Sequence, residues 1–428
     1  MQIEQITLRN FRCFEERTFN LDPHFNVLYG ENGTGKTAIL EAMAVAIGSW
    51  LLGVSEFGRG IRWEDVRLLA SKQGEEIVFE PQAPAEITAR GSVVGERLEW
   101  KRTRANPRGG TTYALAKEIR TLSQKTIKQI REGGDVVAPV IAYYDTARLW
   151  SPHYDTAARK ASIKKSELSR LEAYRDCLNG KLDILGLMRW LDRQDRIEYE
   201  EKSRPKLYSA VLSAMTEILG DVEEIKYSSR RAEIVVTFKG REPQPFTNLS
   251  DGQRSMLALA GDIATRMARL NPQLGENALG ETPGVVLIDE LDLHLHPNWQ
   301  RGIVPSLQKT FPKVQFITTT HSVFIMQTLE ESNLLPIEGQ PVSSLGNLGI
   351  ETIAKGLMNV ERPEVSPKYH EQVEVAKDYL ETLEEAKDAP EEKLAQYMER
   401  LSEGIGPYAH NPAFQAILEM ERLAKLGR

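Results

Sequence analysis

Residues Gly30-Glu31-Asn32-Gly33-Thr34-Gly35-Lys36-Thr37 fit the pattern G-x-x-x-x-G-K-[ST], and nothing else in the chain restricts its fold as tightly. The pattern works in one setting, with a strand delivering the loop and a helix leaving it. Phe25–Tyr29 ahead of the loop is apolar and aromatic, as a buried strand should be. Residues 38–52 behind it are rich in Ala, Ile and Leu and read as a buried helix. In that setting glycines let successive backbone N–H groups turn onto phosphate oxygens. Lys36 brings a charge to the β and γ phosphates, Thr37 offers a hydroxyl to Mg²⁺, and the helix N-terminus points at the same anion. Asn32, Gly33, Thr34, Gly35, Lys36 and Thr37 are therefore the candidate contacts to ATP.

A second segment, Val285-Val-Leu-Ile-Asp289-Glu290, complements the loop. An apolar, β-branched run carries two carboxylates to a sheet edge. There Asp289, with Thr37, would hold Mg²⁺, and Glu290 would orient or deprotonate the attacking water. Short apolar strands at Val285 and at Val314 with a helical span between them predict a parallel sheet. Leu249-Ser250-Asp251-Gly252-Gln253, just ahead of an apolar helix over 255–270, resembles the ABC-type signature. Its usual form has glycine where this chain has Asp251. A serine hydroxyl, a glycine backbone and a helix N-terminus make a second phosphate-binding surface there. Ser250 or Asp251 could equally cap that helix. Thr318-Thr-Thr-His321-Ser322 ends the second apolar strand and resembles the switch histidine of the same proteins, which contacts the γ-phosphate.

The order of these motifs, with Leu291-Asp292 after the acidic pair, resembles that of ABC-type ATPase heads. Leu8-Arg-Asn-Phe11-Arg12-Cys13-Phe14 resembles the first strand of RecF-like and SMC-like repair ATPases. That resemblance implies an α/β P-loop head with a mixed sheet and an antiparallel β lobe near 76–104, Mg²⁺-dependent hydrolysis, and closure of a homodimer or higher homo-oligomer around ATP. Lys36, Thr37, Asp289, Glu290 and His321 would act from one protomer and Ser250, Gly252 and Gln253 from the other. About 210 residues separate P-loop from signature, too few for a long SMC coiled coil, and 114–220 carry no sustained heptads. No glutamate-then-Asp-x-Asp arrangement follows His321, so no nuclease domain of that type is expected. The glutamine usual in this class after the preceding strand is missing; Tyr143-Tyr144-Asp145 stands there, and Asp145 is a candidate to serve the metal through water. His294 and His296, beside Pro297 and Trp299, read as a packed corner.

Two longer stretches are more particular. Pro139-Val-Ile-Ala-Tyr-Tyr-Asp-Thr-Ala-Arg-Leu-Trp150 and Ile288-Asp-Glu-Leu-Asp-Leu-His-Leu-His-Pro-Asn-Trp-Gln300, with the tail beyond 361, resemble PtuA-type ATPases of Septu and retron-associated anti-phage systems. The resemblance implies a separate HNH nuclease as partner. A RecF-like repair ATPase and a scaffold that binds ATP without turning it over are the alternatives; Lys36, Asp289, Glu290 and His321 speak against the last.

Composition sets the outer bounds. The 428 residues suit two or three units, and 41% hydrophobic with 27% charged residues is the balance of a soluble globular chain. The expected division is 1–145 and 246–355 for the two parts of the head, 146–245 for a mainly helical insertion, and 356–428 for a helical tail. The longest uncharged apolar run, 42–54, falls short of the ~18 residues a membrane span needs, and Met1-Gln2-Ile3-Glu4 does not open a signal peptide. A cytoplasmic protein with no membrane contact is expected. Cys13 and Cys177 alone make neither a disulfide framework nor a four-cysteine zinc site. Net charge is −7 but uneven: residues 101–131 hold nine basic residues and one acid, while 361–428 hold fifteen acids and nine bases. The first stretch, with Lys160, Lys164 and Lys165, is a candidate DNA or RNA contact. The second, with Val373, Tyr379, Leu380, Leu383, Leu394, Tyr397, Met398 and Leu401 at helical spacings, is a candidate docking element.

Overall fold

The computed structural model describes residues 1–54, 58–73, 76–106, 109–148, 169–337, 348–358, 366–387, 390, 393, 396–397, 399–401 and 412–426. Arg108, Trp150, Lys160, Lys164, Lys165, Leu394 and Met398 lie outside these residues. The chain forms two compact units, Met1–Ile353 and Ala354–Arg428.

The first unit is built on a parallel sheet in the order β14-β3-β13-β12-β8. Its members are β3 (Phe25–Tyr29), β8 (Val140–Tyr144), β12 (Gly284–Ile288), β13 (Val314–Thr319) and β14 (Leu334–Pro336). Every residue of β3, β8, β12 and β13 is buried, so these strands are mostly apolar and do not alternate, and the polar Asn26 and Gln315 among them are buried too. Among the described residues antiparallel pairing falls in separate sheets, so the mixture of directions suggested by the sequence is divided between layers. β1 (Gln2–Phe11), β2 (Phe14–Asn20), β6 (Ala85–Val93) and β7 (Glu96–Arg104) form one such sheet in the order β2-β1-β6-β7. β4 (Leu68–Gln73) and β5 (Glu76–Pro81) make a hairpin of their own, so 76–81 pairs back onto a strand the sequence did not announce instead of onto β6. A third sheet holds β9 (Val222–Ser228), β10 (Glu233–Phe238) and β11 (Gln244–Pro245).

Helix α1 (Lys36–Ile47) lies against β12 and β13 and also against β1, β6 and β7, so it is buried on nearly all sides. Ile39, Leu40, Met43 and Ile47 are fully covered, each worth roughly 1.5–3 kcal/mol of burial. Lys36–Gly53, longer than the uncharged run 42–54, is long and apolar enough by composition alone to cross a membrane. Of its residues 72% are buried, because α1 and the turn after it lie in the core of the head. Around the sheet pack α2 (Lys117–Arg131), α3 (Ile184–Glu201), α4 (Lys206–Leu219), α5 (Asp251–Leu270) and α6 (Pro297–Thr310). α3 and α4 supply the helical character expected of 146–245, with β9 and β10 completing that segment. α7 (Ile350–Met358) spans the division between units. Within the second unit α8 (Pro367–Lys387) and α9 (Pro412–Leu426) pack together. Tyr379, Leu383, Leu401 and Leu418 form their core.

Candidate nucleotide site

Parallel register brings the site together. Ile288 pairs with Thr318 and Leu28 with Thr319, so β3, β12 and β13 release their next residues side by side at one sheet edge. Those residues are the P-loop, Asp289-Glu290 and Thr320-His321. Parallel α/β sheets offer ligands this edge, outside the carboxyl ends of their strands.

The loop takes its shape from its glycines. Gly33 (φ 84°) and Gly35 (φ 103°) occupy the left-handed region that side chains avoid. At Gly35 a Cβ would also meet Cys13 Sγ at 2.6 Å and the Phe14 ring at 2.8 Å, so the β1–β2 turn is seated on the loop. Lys36 Nζ donates to Gly30 O and Glu31 O, both at 2.8 Å. Burial lowers this ammonium below its ordinary pKa, and attraction to Asp289 and Glu290 opposes the shift.

Thr37 Oγ1 donates to Asp289 Oδ2 at 2.8 Å, and Thr319 Oγ1 donates to Asp289 Oδ1 at 2.5 Å. Adjacent oxygens of a magnesium octahedron stand about 2.9 Å apart, so the Thr37 hydroxyl and Asp289 carboxylate fit that ion and its preference for oxygen donors. Among the described residues no group of three His, Cys, Asp or Glu side chains could hold a metal, so phosphate and water would complete the shell. Glu290 follows with φ 47°, an unfavourable backbone for glutamate, and its N–H donates to Thr319 Oγ1 at 2.7 Å. His321 N donates to Asp292 Oδ1 at 3.2 Å, which ties the histidine segment to the turn after Glu290.

Ser250 N-caps α5, its Oγ accepting from Gln253 N at 3.4 Å while Gln253 Oε1 accepts from Ser250 N at 3.1 Å. The signature and the helix cap are thus one feature, and α5 begins at Asp251 instead of near 255. Among the described residues no hydrogen bond joins Ser250 or Gln253 to the P-loop. Gly252 lies against the carbonyl of His294, where a Cβ would come within 2.3 Å. His296 caps α6, Nδ1 accepting from Asn298 N at 3.3 Å, in keeping with the packed corner.

Several groups escaped the sequence reading. Arg148 is 2% exposed and reaches the carbonyls of both Asp289 and Glu290. Arg12, Arg59 and Arg62 converge on Glu41 of α1 at 2.7, 3.0 and 3.2 Å. Nothing in one sequence separates a buried arginine from a solvated one, so neither cluster carried a signal. Asp145 accepts from Ala147 N at 2.8 Å and packs on Gly180; burial, with the charge of Asp289 as a lesser cause, raises its carboxyl above the usual range. In the basic stretch, Arg102 is 3% exposed and donates to Arg59 O at 3.3 Å, and Lys101 pairs with Glu86 at 2.7 Å. Arg104 donates to Ile61 O at 3.0 Å. Arg102 and Arg104 thus tie β7 to the 59–61 segment, and Lys101 ties β7 to β6 within the same sheet.

The parallel sheet, the P-loop between β3 and α1, and the carboxylates after β12 define an ABC-type P-loop ATPase head. Residues 25–327 match the family described as "AAA domain, putative AbiEii toxin, Type IV TA system", and the chain belongs to it. Residues 1–48 match the "AAA ATPase domain" family. The chain is similar to the retron Ec83 probable ATPase of Escherichia coli, at 28% identity over 78% of this chain and 71% of that one. It is similar also to the Septu protein PtuA of Bacillus thuringiensis, at 23% identity over 78% of this chain and 75% of that one. An SMC head domain from Thermotoga maritima overlays with a TM-score of 0.44 at 14% identity, over 78% of this chain and 94% of its own.

Proposed function

We propose that this chain is the Mg²⁺-dependent, ATP-hydrolysing subunit of an anti-phage defence system, and that its nucleotide-closed homodimer controls a partner HNH nuclease. The observation that carries the ATPase reading is the convergence of Thr37, Asp289, Glu290 and Thr319 through hydrogen bonds of 2.5–2.8 Å at one sheet edge. Similarity to retron and Septu ATPases over 78% of the chain supports the defence role. Lys36 and the loop amides would bind the triphosphate. Mg²⁺ at Thr37 and Asp289 would neutralise its charge. Glu290 would take the proton of the attacking water, and His321 would contact the γ-phosphate. Because Ser250 and Gln253 stand outside this cluster with their polar groups turned to one another, the signature is read as serving the nucleotide of a second copy.

Replacing Glu290 by Gln tests the assignment. Turnover should fall roughly 10²–10⁴-fold, the range of a lost general base, while ATP stays bound and a dimer accumulates on gel filtration. Lys36→Ala should instead lose ATP binding. A Glu290→Gln protein that hydrolyses ATP at the parental rate removes Glu290 as the base.

One observation supports nucleic-acid contact, which also suits the RecF-like alternative. Lys117, Arg120, Lys125, Lys128 and Arg131 are exposed on α2, where Glu118 is the one acid. DNA affinity should fall steeply with salt, and alanine at these five positions should flatten that dependence. An unchanged salt slope would clear α2 of the role.

A further inference from the structure

The guanidinium of Arg148 uses every arm. Nη1 donates to Asp289 O at 2.7 Å and Asp145 O at 3.3 Å, Nη2 to Glu290 O at 3.0 Å, and Nε to Ser255 Oγ at 3.2 Å. Ser255 lies little more than one helical turn beyond the signature serine on α5. A second tie joins the same two elements lower down. Tyr144 Oη donates to Asp262 Oδ2 at 2.7 Å, and Arg266 Nε donates to the same oxygen at 2.9 Å, all of it buried. The end of β8 and the segment just after it therefore grip α5 at two heights, and only the grip nearer the signature also holds the catalytic turn.

At that turn both peptide groups of Glu290 are fixed, the N–H by Thr319 and the carbonyl by Arg148, in a backbone conformation glutamate does not favour. Where the Glu290 carboxylate points then depends on where Arg148 stands. Of the four hydrogen bonds that hold Arg148, the one to Ser255 is the only one that reaches α5. We propose that Arg148 is a positioning residue that couples the signature end of α5 to Glu290, so that engagement of Ser250 by the nucleotide of a second copy aligns the base for hydrolysis. The inference rests on the reading of Glu290 as that base. A plainer role competes with it, since Asp145, Asp289, Glu290 and Asp292 all lie close enough to favour the charged guanidinium, which could serve only to balance them.

Arg148→Lys keeps the charge and removes the fork; Ser255→Ala removes the α5 arm alone. Both are made in the full chain and compared for binding of a fluorescent ATP analogue, kcat and KM across protein concentrations, and Tm. Coupling predicts ATP affinity and KM within about twofold of the parent, with kcat down about tenfold or more in Arg148→Lys and by a smaller factor in Ser255→Ala. Placed on Glu290→Gln, Ser255→Ala should still allow the ATP-trapped dimer, because closure precedes alignment. Parental kcat in Arg148→Lys overturns the proposal. So does a silent Ser255→Ala, which also decides the matter should Arg148→Lys fail to fold. A fall in kcat that tracks lost Tm and raised KM would mark a packing role and overturn it as well. Parental turnover in Glu290→Gln itself would instead sink the catalytic reading beneath it.

Discussion

Asp289 shows how much a single side chain can be asked to do: one oxygen accepts from Thr37 of the P-loop, the other from Thr319 of the neighbouring strand. An apolar strand ending in Asp-Glu is by itself a common, solvated strand end, and the place of Asp289 was legible because the chain also carries a P-loop. Thr319 was not, because a threonine in a buried strand carries no mark of the proton it donates. Arg148 was hidden for the reason common to buried charges, that sequence alone records neither depth nor partner. Cys13 shows the opposite situation, an exposed residue whose importance comes from its neighbour. Its thiol sits where Gly35 lacks a Cβ, and Sγ donates to Thr34 O at 3.7 Å. Partial burial raises its pKa, and full burial pushes the Cys177 thiol up to about 12. A thiol whose pKa is raised holds less thiolate at any given pH, so attack by Cys13 should be slow near neutrality and climb as pH rises past the ordinary thiol value of ~8.5. Ellman's reagent should therefore titrate one thiol in the native chain and two in denaturant, and the native adduct should bind ATP more weakly. Two reactive thiols in the folded protein would contradict the burial of Cys177.

Burial on both faces made strands legible, although β5, with none of its positions buried, was read as well. β3, β8, β12 and β13 could be read because both faces are covered. β4 could not, because none of its six positions is buried and no pattern forms. β9 buries Val222, Ile225 and Tyr227 at uneven spacing, and a register shift at Thr237/Phe238 on its partner accounts for the broken alternation. Helix glycines give a test at this scale with two signs. In α6, Gly302 has nothing within 4 Å of an added Cβ, so Gly302→Ala should stabilise by about 0.5–1 kcal/mol, the helix-propensity difference. In α5, Gly252 would drive the same methyl into the His294 carbonyl, which is backbone and cannot rotate away. There the clash outweighs propensity, and Gly252→Ala should lower the denaturation midpoint and loosen the turn after Glu290. Equal shifts from the two variants in urea titrations would show that the signature helix is free of that turn.

At the scale of the molecule, the division into Met1–Ile353 and Ala354–Arg428 leaves every candidate site residue, His321 being the last of them, in the first unit. The second has its own small core in Tyr379, Leu383, Leu401 and Leu418, so it does not depend on the head for all of its burial. Helical spacing in the sequence offered Tyr379, Leu383 and Leu401 as docking residues, and the structure corrects this by burying them with Leu418 in the unit's own core, while α9 leaves Ile417, Met420 and Leu423 60%, 65% and 54% exposed. An apolar stripe left in water on an acidic segment is poorly suited to DNA and well suited to a protein partner. Deleting 361–428 should accordingly leave a head that folds, binds ATP and hydrolyses it, with circular dichroism and nucleotide affinity close to those of the full chain. The same deletion should abolish retention of the proposed nuclease partner in a pull-down from cells expressing both proteins. Aspartate at Ile417, Met420 and Leu423 should do so without any deletion, because it charges the stripe and leaves the four core residues in place. Retention of the nuclease by the truncated chain would move the interface onto the head. A truncated chain that aggregates would show that the tail completes the head's own fold.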